Sequence, residues 1–303
     1  MYKIPSLPSS DKKPRAIAIL TSGGDSPGMN PAIRGVVRAA LHKGIKVYGV
    51  TKGYSGLIIG DMTEMNSASV TNIVQRGGTL LKSDRCLAFK DPAVRHQAAM
   101  VLKEKDIDAL IVIGGDGSLT GAHLLTQENN INVIGLPGTI DNDIYGTDDT
   151  IGFDTAVNTA LDAIDKIRDT ALSHESLFLV EVMGRNSGFI ATHVGIACGA
   201  EMVVVPEYET KAETICFQLA NNRLLGKGAS GIIVVAEGDD EGNAIAISKK
   251  LSKLTKEQFH VVVLGHIQRG GSPTAFDRVL GTRFGIAAID LIHEGNFGKM
   301  VAL

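Results

Sequence analysis

Short runs of β-branched and aliphatic residues alternate with longer amphipathic segments through nearly the whole chain, and glycine-bearing turns stand where one gives way to the other. That alternation leaves few folds open. Apolar runs too short for helices and lacking polar alternation suit strands buried on both faces, which belong to parallel sheets covered by helices. AIAIL (16–20), KVYGV (46–50), ALIVI (109–113), NVIGL (132–136), LFLVEVM (177–183), GIIVVA (231–236) and HVVVLG (260–265) read as such strands. TSGGDSPG follows the first of them and leads into a helix from about Asn30. Ile33, Val36, Val37, Ala40 and Leu41 fall on one face of that helix before Gly44 ends it. A long helix is predicted from about Ser272 to Glu294.

A chain of 303 residues, 44% of them hydrophobic, has enough material for two domains of ordinary size. The tract IYGTDDTIGF (144–153) reads as a crossing between them, with a return to the first near residue 267. The predicted division is 1–151 plus 267–303 for the first domain, with 1–15 a flexible tail, and 152–266 for the second. Thirty basic against 33 acidic residues leave no broad positive field for nucleic acid or an anionic membrane, so any anion site has to be local. Cys86, Cys198 and Cys216 are odd in number and contain no CxxC, which fits a reducing cytoplasm better than a disulfide framework or a thiolate zinc site. The N-terminus lacks the apolar core of a signal peptide, and no run reaches the roughly 18 apolar residues of a membrane span.

Four glycine-bearing turns follow strand ends: TSGGDSPG, GGDGS, PGTIDND and GRNSG. Open α/β sheets bind ligands there, so one site built from many loops is predicted. Glycine lets backbone N–H groups approach phosphate oxygens, and a helix starting at the turn adds its positive end. TSGGDSPG and GGDGS have this form; each alone is equally consistent with a purely steric need for glycine, and two in one sheet are stronger evidence. No Walker A loop is present, and GxGxxG is missing from the first strand turn, which argues against a dinucleotide fold. Asp116, set among such amides, would repel a polyphosphate unless a divalent cation lay between them, and Mg²⁺ takes one or two carboxylates plus phosphate oxygens. An Asx turn or helix cap is the competing reading of Asp116.

In PGTIDND, Asp141 and Asp143 crowd two carboxylates together, at a cost in stability. Phosphoryl transfer needs a carboxylate to accept the hydroxyl proton and cations to absorb charge. Asp141 suits the base, Asp143 a helper to the metal, and Thr139 a contact to the moving group; a plain Asp/Asn turn is the alternative. Arg76, Arg85, Arg185 and Arg269, with His266 beside the last, lie in glycine-flanked loops and supply guanidinium forks for phosphate.

Taken together, TSGGDSPGMNPAIRGVVR, RGGTLLKSDR, IGGDGSLTGA, GLPGTIDNDIYGTDDTIGFDTA, EVMGRNSG and VLGHIQRGGSP resemble the ATP-dependent 6-phosphofructokinase family, in family order across nearly the whole chain. The resemblance implies two Rossmann-like three-layer α/β domains with mainly parallel sheets and an active site in the cleft between them. It implies ATP binding by Gly24, Arg85, Cys86, Gly115, Asp116, Gly117 and Ser118, with Asp116 serving Mg²⁺. By the same resemblance Asp141 is the base that activates the sugar 1-hydroxyl, flanked by Thr139 and Asp143, and Arg185 steadies the transition state. Met183, Gly184, Glu237, His266 and Arg269 match the fructose 6-phosphate pocket. Relatives that use pyrophosphate tend to carry Asp where this chain has Gly117 and Lys where it has Gly138, so ATP is the expected donor. A homotetramer with active sites borrowing residues across a subunit contact is also implied.

Three departures from the family pattern stand out. Two arginines that relatives lend across the interface to the 6-phosphate are replaced by Ser176 and His260, which predicts weaker sugar-phosphate binding. Arg34, Arg38, Arg168 and Glu201 match an allosteric nucleotide pocket, but Ser67, Ala68 and the glycines near 226–228 replace its other basic and aromatic positions. The chain ends about one strand and helix short of relatives. A non-catalytic subunit of the same fold and a kinase for another acceptor are the alternative functions. Intact Asp116, Thr139, Asp141, Asp143 and Arg185 oppose the first alternative, and Glu237, His266 and Arg269 oppose the second.

Overall fold

A computed structural model describes residues 14–225, 230–238 and 242–303 of the protein. The chain forms two compact units. The first comprises its described residues up to Thr139, then Ile144–Gly152 and Ser272–Leu303; the second comprises Ile140–Asp143 and Phe153–Gly271. The four residues 140–143 thus count with the second unit, and the chain returns to the first at Ser272 instead of near 267. Most of the predicted tail, residues 1–13, lies outside the described residues.

In the first unit, strands β1 (Ala16–Ser22), β2 (Lys46–Val50), β3 (Met62–Met65), β4 (Ala109–Gly114), β5 (Val133–Pro137) and β10 (Lys299–Met300) form one sheet in the order β10-β5-β4-β1-β2-β3. Every pairing is parallel except β2 with β3. Side chains alternate between faces along each strand. Ile17, Ile19, Ile111, Ile113, Ile134 and Leu136 therefore meet helices α1 (Met29–His42) and α9 (Ala275–His293). Ala18, Leu20, Leu110, Val112 and Val133 face the other way, against α2 (Gly53–Ile59), α3 (Pro92–Glu104) and α4 (Asp116–Asn129). Burial on both faces explains why these strands carry no polar alternation. Helices α1 and α9 touch at glycines: a Cβ on Gly285 would lie 2.5 Å from the Ala32 carbonyl oxygen, so any side chain there would push the helices apart.

The second unit holds strands β6 (Leu177–Val182), β7 (Met202–Val204), β8 (Gly231–Ala236) and β9 (Phe259–Val263) in the parallel order β7-β8-β6-β9. Val180, Val182, Ile232 and Val234 pack on α5 (Phe153–Ser173) and α6 (Phe189–Cys198). Leu177, Leu179, Ile233 and Val235 pack on α7 (Ala212–Leu224) and α8 (Ala244–Thr255). Each unit is a three-layer α/β arrangement. The long C-terminal helix starts at Ala275, later than the predicted Ser272, because the Thr274 hydroxyl caps it by accepting the Asp277 N–H at 3.3 Å. No helix among the described residues is long and apolar enough to cross a membrane.

Candidate active site

In the first unit, chain order reverses between β1 and β4: β2 extends the sheet on one side of this pair and β5 on the other. The C-terminal loops at such a switch point form a ligand crevice, and here they are TSGGDSPG and GGDGS. Gly115 is the N-cap of α4 with no side-chain cap, leaving the helix end open. Asp116 and Gly117 are exposed beyond it, and a Cβ at Gly117 would meet nothing within 4 Å. Ser118 differs. Its side chain is buried and donates to Ser22 Oγ at 3.0 Å, its N–H bonds the Gly115 carbonyl at 3.0 Å, and its carbonyl accepts the Tyr54 hydroxyl at 2.6 Å. Its polar groups thus pin the loop from behind, with the hydroxyl engaged on Ser22.

The segment 76–86 lies over the end of β1. Asn30, buried on α1, donates to the Arg76 and Gly77 carbonyls at 3.0 and 3.2 Å and accepts the Leu80 N–H at 2.7 Å. Thr21 donates to the Lys82 carbonyl at 2.9 Å, and the Gly23 N–H reaches the Asp84 carbonyl at 3.1 Å. This brings Arg85, exposed, and Cys86, half-buried, beside the Gly23–Gly24 turn. Hydrogen bonds from Ser55 Oγ and the Arg85 N–H hold the Asp84 carboxyl below its usual range. Thr139 belongs to the same unit: a Cβ on Gly115 would lie 3.6 Å from its Cβ and 3.9 Å from its Oγ1. Asn30, Thr21 and Tyr54 were not singled out from sequence, since nothing local marks a contact between residues 46 to 64 positions apart.

In the second unit the loops after β6, β8 and β9 converge on Asp141. This residue is 4% exposed, with its Oδ2 3.9 Å from Arg185 Nε. Burial and then the neighbouring Asp143 push its pKa above the ordinary carboxylate range; Arg269 and Arg185 oppose that, and Glu237 adds to it. Arg185 sits at φ 53 after Gly184 at φ 146. A Cβ on Gly184 would lie 2.4 Å from the Ser187 carbonyl, so the tight turn requires glycine. The Arg185 N–H donates to Glu237 Oε1 at 3.0 Å, the Met183 N–H donates to Gln268 Oε1 at 2.9 Å, and Ser187 Oγ donates to the Asp141 carbonyl at 3.0 Å. His266 is exposed and Arg269 half-buried on the 3₁₀ turn Gly265–Arg269. The structure therefore gathers Asp141, Met183, Gly184, Arg185, Glu237 and Arg269, and adds Ser187 and Gln268, which the sequence reading passed over.

Ser176 and His260 stand apart from this group. Ser176 precedes β6 and bonds the His174 carbonyl at 3.1 Å, while His260 pairs with Phe178 and stacks on its ring at 5.0 Å. Ser176 and Met183 stand seven positions apart across the six residues of β6, about 23 Å at ~3.3 Å per residue. Of the residues matched to an effector pocket, Arg168 bonds the Cys198 and Gly199 carbonyls at 2.8 and 3.2 Å and pairs with Glu201 at 3.7 Å. Arg34 is half-buried and Arg38 exposed on α1, and Ser67 and Ala68 lie exposed in a turn capped by Asn66. Gly226 and Gly228 lie outside the described residues.

An open helix end at a switch point, and a buried carboxylate near Arg185 and Arg269, suit an α/β protein that handles phosphorylated ligands. The sequence profile of the phosphofructokinase family matches residues 16–292. The chain is 51% identical over 290 residues to ATP-dependent 6-phosphofructokinase 2 of Bacteroides thetaiotaomicron, covering 95% of this chain and 89% of that one. It is 50% identical over 289 residues to the ATP-dependent 6-phosphofructokinase of Clostridium botulinum, with the same coverage. The solved phosphofructokinase of Saccharomyces cerevisiae superposes with a TM-score of 0.84 at 38% identity, covering 92% of this chain and 41% of the yeast chain. This chain belongs to the phosphofructokinase family.

Proposed function

We propose that this protein is an ATP-dependent 6-phosphofructokinase that transfers a phosphoryl group from MgATP to O1 of fructose 6-phosphate, with Asp141 as the base. The observation that carries this reading is the buried Asp141 carboxylate, raised in proton affinity and held near Arg185. A base works best when its pKa approaches the working pH, and burial moves an aspartate in that direction. As the sugar hydroxyl attacks, its proton passes to Asp141. Arg185, one guanidinium away, meets the charge that builds on the transferred group. Glu237 uses Oε1 on the Arg185 N–H, which leaves Oε2 for sugar hydroxyls. His266 and Arg269 hold the 6-phosphate.

The donor side rests on backbone. Gly24 and the open N-terminus of α4 at Gly115–Gly117 receive phosphates, Arg85 and Cys86 border the nucleotide, and Thr139 contacts the moving group. No cluster of three or more His, Cys, Asp or Glu able to hold a metal occurs among the described residues. The single exposed carboxylate of Asp116 therefore suits a Mg²⁺ that takes its remaining ligands from phosphates and water. Bound Mg²⁺ neutralises charge on the phosphate oxygens. ATP is favoured over pyrophosphate because Gly117 is open, and because a Cβ at Gly138 would lie 2.9 Å from Ile113 Cγ2, leaving no room for lysine without repacking.

A homotetramer in the cytoplasm fits this reading, since Ser176 and His260, distant in their own chain, would serve a neighbouring subunit's 6-phosphate. Two lost guanidinium forks would each remove about 1.5 to 3 kcal/mol where desolvated. That loss is the one observation favouring a regulatory subunit; a flat response to ADP and phosphoenolpyruvate would mark lost effector control. A coupled assay with fructose 6-phosphate decides the matter. Turnover with MgATP and little with pyrophosphate is expected, and no turnover with either refutes the assignment.

A further inference from the structure

The turn Met183–Ser187 is held at three points by other parts of the second unit. At its entry the Met183 N–H, one residue beyond the last β6 residue, donates to Gln268 Oε1 at 2.9 Å. In its middle the Arg185 N–H donates to Glu237 Oε1 at 3.0 Å. At its exit the Ser187 hydroxyl donates to the Asp141 carbonyl at 3.0 Å. Gln268 and Ser187 are 0% and 6% exposed, too buried to serve as surface polar groups. The turn closes on itself through the Ser187 N–H and the Gly184 carbonyl at 2.9 Å, and glycine alone fits its position 184. A turn this constrained moves as one piece.

We infer that this turn is a rigid yoke that sets the spacing between Asp141 and Arg185, with Ser187 and Gln268 as positioning residues. The inference rests on the reading of Asp141 as the base. Ser187 ties the backbone of Asp141 directly to the turn that carries Arg185. Gln268 ties the same turn to the loop bearing His266 and Arg269, two residues before it and one after. The grip on one end of the substrate and the reacting groups at the other thus share one support. Gln268 Nε2 has no hydrogen-bond partner among the described residues, so the acceptor oxygen is the working half of the amide. Replacement by leucine removes that acceptor together with an unsatisfied donor, and leaves the buried Met183 N–H without its partner.

A small misplacement of reacting groups lowers turnover strongly without abolishing binding. Ser187→Ala and Gln268→Leu are each expected to lower kcat about tenfold or more, with KM for fructose 6-phosphate and MgATP changed less than threefold. Ser187→Thr, which keeps the hydroxyl, is expected to recover most of the turnover. If both residues act through one turn, the double variant loses much less than the product of the single losses. Equal kcat in wild type and both single variants overturns the inference, as does a strictly multiplicative double variant. A wild type that phosphorylates no sugar phosphate refutes the kinase reading instead. Crystal structures of wild type and Ser187→Ala then decide the yoke: an unchanged Asp141–Arg185 separation contradicts it, and a widened one supports it.

Discussion

On the proposed assignment, the loops of the first unit and those of the second meet the demands of phosphate chemistry by opposite means. Around Gly115–Gly117 the working surface is exposed backbone at an uncapped helix end, and the polar side chain of Ser118 is turned inward as a brace. Around Asp141 the working groups are side chains, one of them a buried carboxylate whose proton affinity depends on its neighbours. Backbone donors need no particular side chain, only the absence of one in the way. A buried acid is sensitive to every charge near it. Substitutions should therefore act through space and repulsion in the first unit, and through proton affinity and charge in the second.

The strongest test of that contrast is Asp141→Asn. Loss of a positioned base lowers kcat by about 10² to 10⁴, while KM for both substrates stays within a few-fold. Stability should move the other way. With its folded pKa raised above the unfolded value, near 3.9, Asp141 favours folding when protonated. That contribution is present below the unfolded pKa and is lost as pH rises through the folded one, so at neutral pH the ionised group costs stability. Asparagine removes the cost, and thermal unfolding at pH 7 should show a higher Tm. A lower Tm would mean that the attraction of Arg185 and Arg269 outweighs burial.

Next in size is Gly117→Asp. Nothing lies within 4 Å of its Cβ, so folding is undisturbed, but on the proposed assignment the added carboxylate would face the donor phosphates beside Asp116. KM for MgATP should rise about tenfold or more, equivalent to ~1.4 kcal/mol, with Tm unchanged. An unchanged KM would show that the donor phosphates do not approach this helix end. The Ser176→Arg/His260→Arg double variant should lower KM for fructose 6-phosphate without altering that for MgATP; equal KM values would separate these positions from the sugar phosphate. Tyr54→Phe sets the lower limit. It removes the hydrogen bond to the Ser118 carbonyl, worth about 1 kcal/mol, and should lower Tm by a few degrees and raise KM for MgATP less than threefold.

What could be read in the sequence follows from range. The strands buried on both faces announce themselves as apolar runs, and the glycine turns after β1, β4 and β6 mark where their loops begin. Strands β3, β7 and β10, of four, three and two residues, are too short for any periodic pattern. The hold of Asn30 and Thr21 on residues 76–82, and of Gln268 on Met183, joins residues 46 to 85 positions apart. Ser187 lies within GRNSG with nothing local to give it a role, because a serine in a glycine turn suits many purposes until its acceptor is known. The inward turn of Ser118 was hidden for the same reason: its partners, Ser22 and Tyr54, lie far away in sequence.

The pH dependence of kcat in the wild type and in Asp143→Asn reports most directly on Asp141 as a buried base. The base acts when deprotonated, so kcat falls as pH drops through its pKa, and the acid limb of the wild type should lie above the ordinary aspartate value of about 3.9. Asp143→Asn removes the second cause of the rise but leaves burial, the larger one. The limb should therefore move to lower pH without reaching the ordinary value. An acid limb in the ordinary range in the wild type, or one that stays fixed when Asp143 is neutralised, would contradict the assignment of Asp141 as that base.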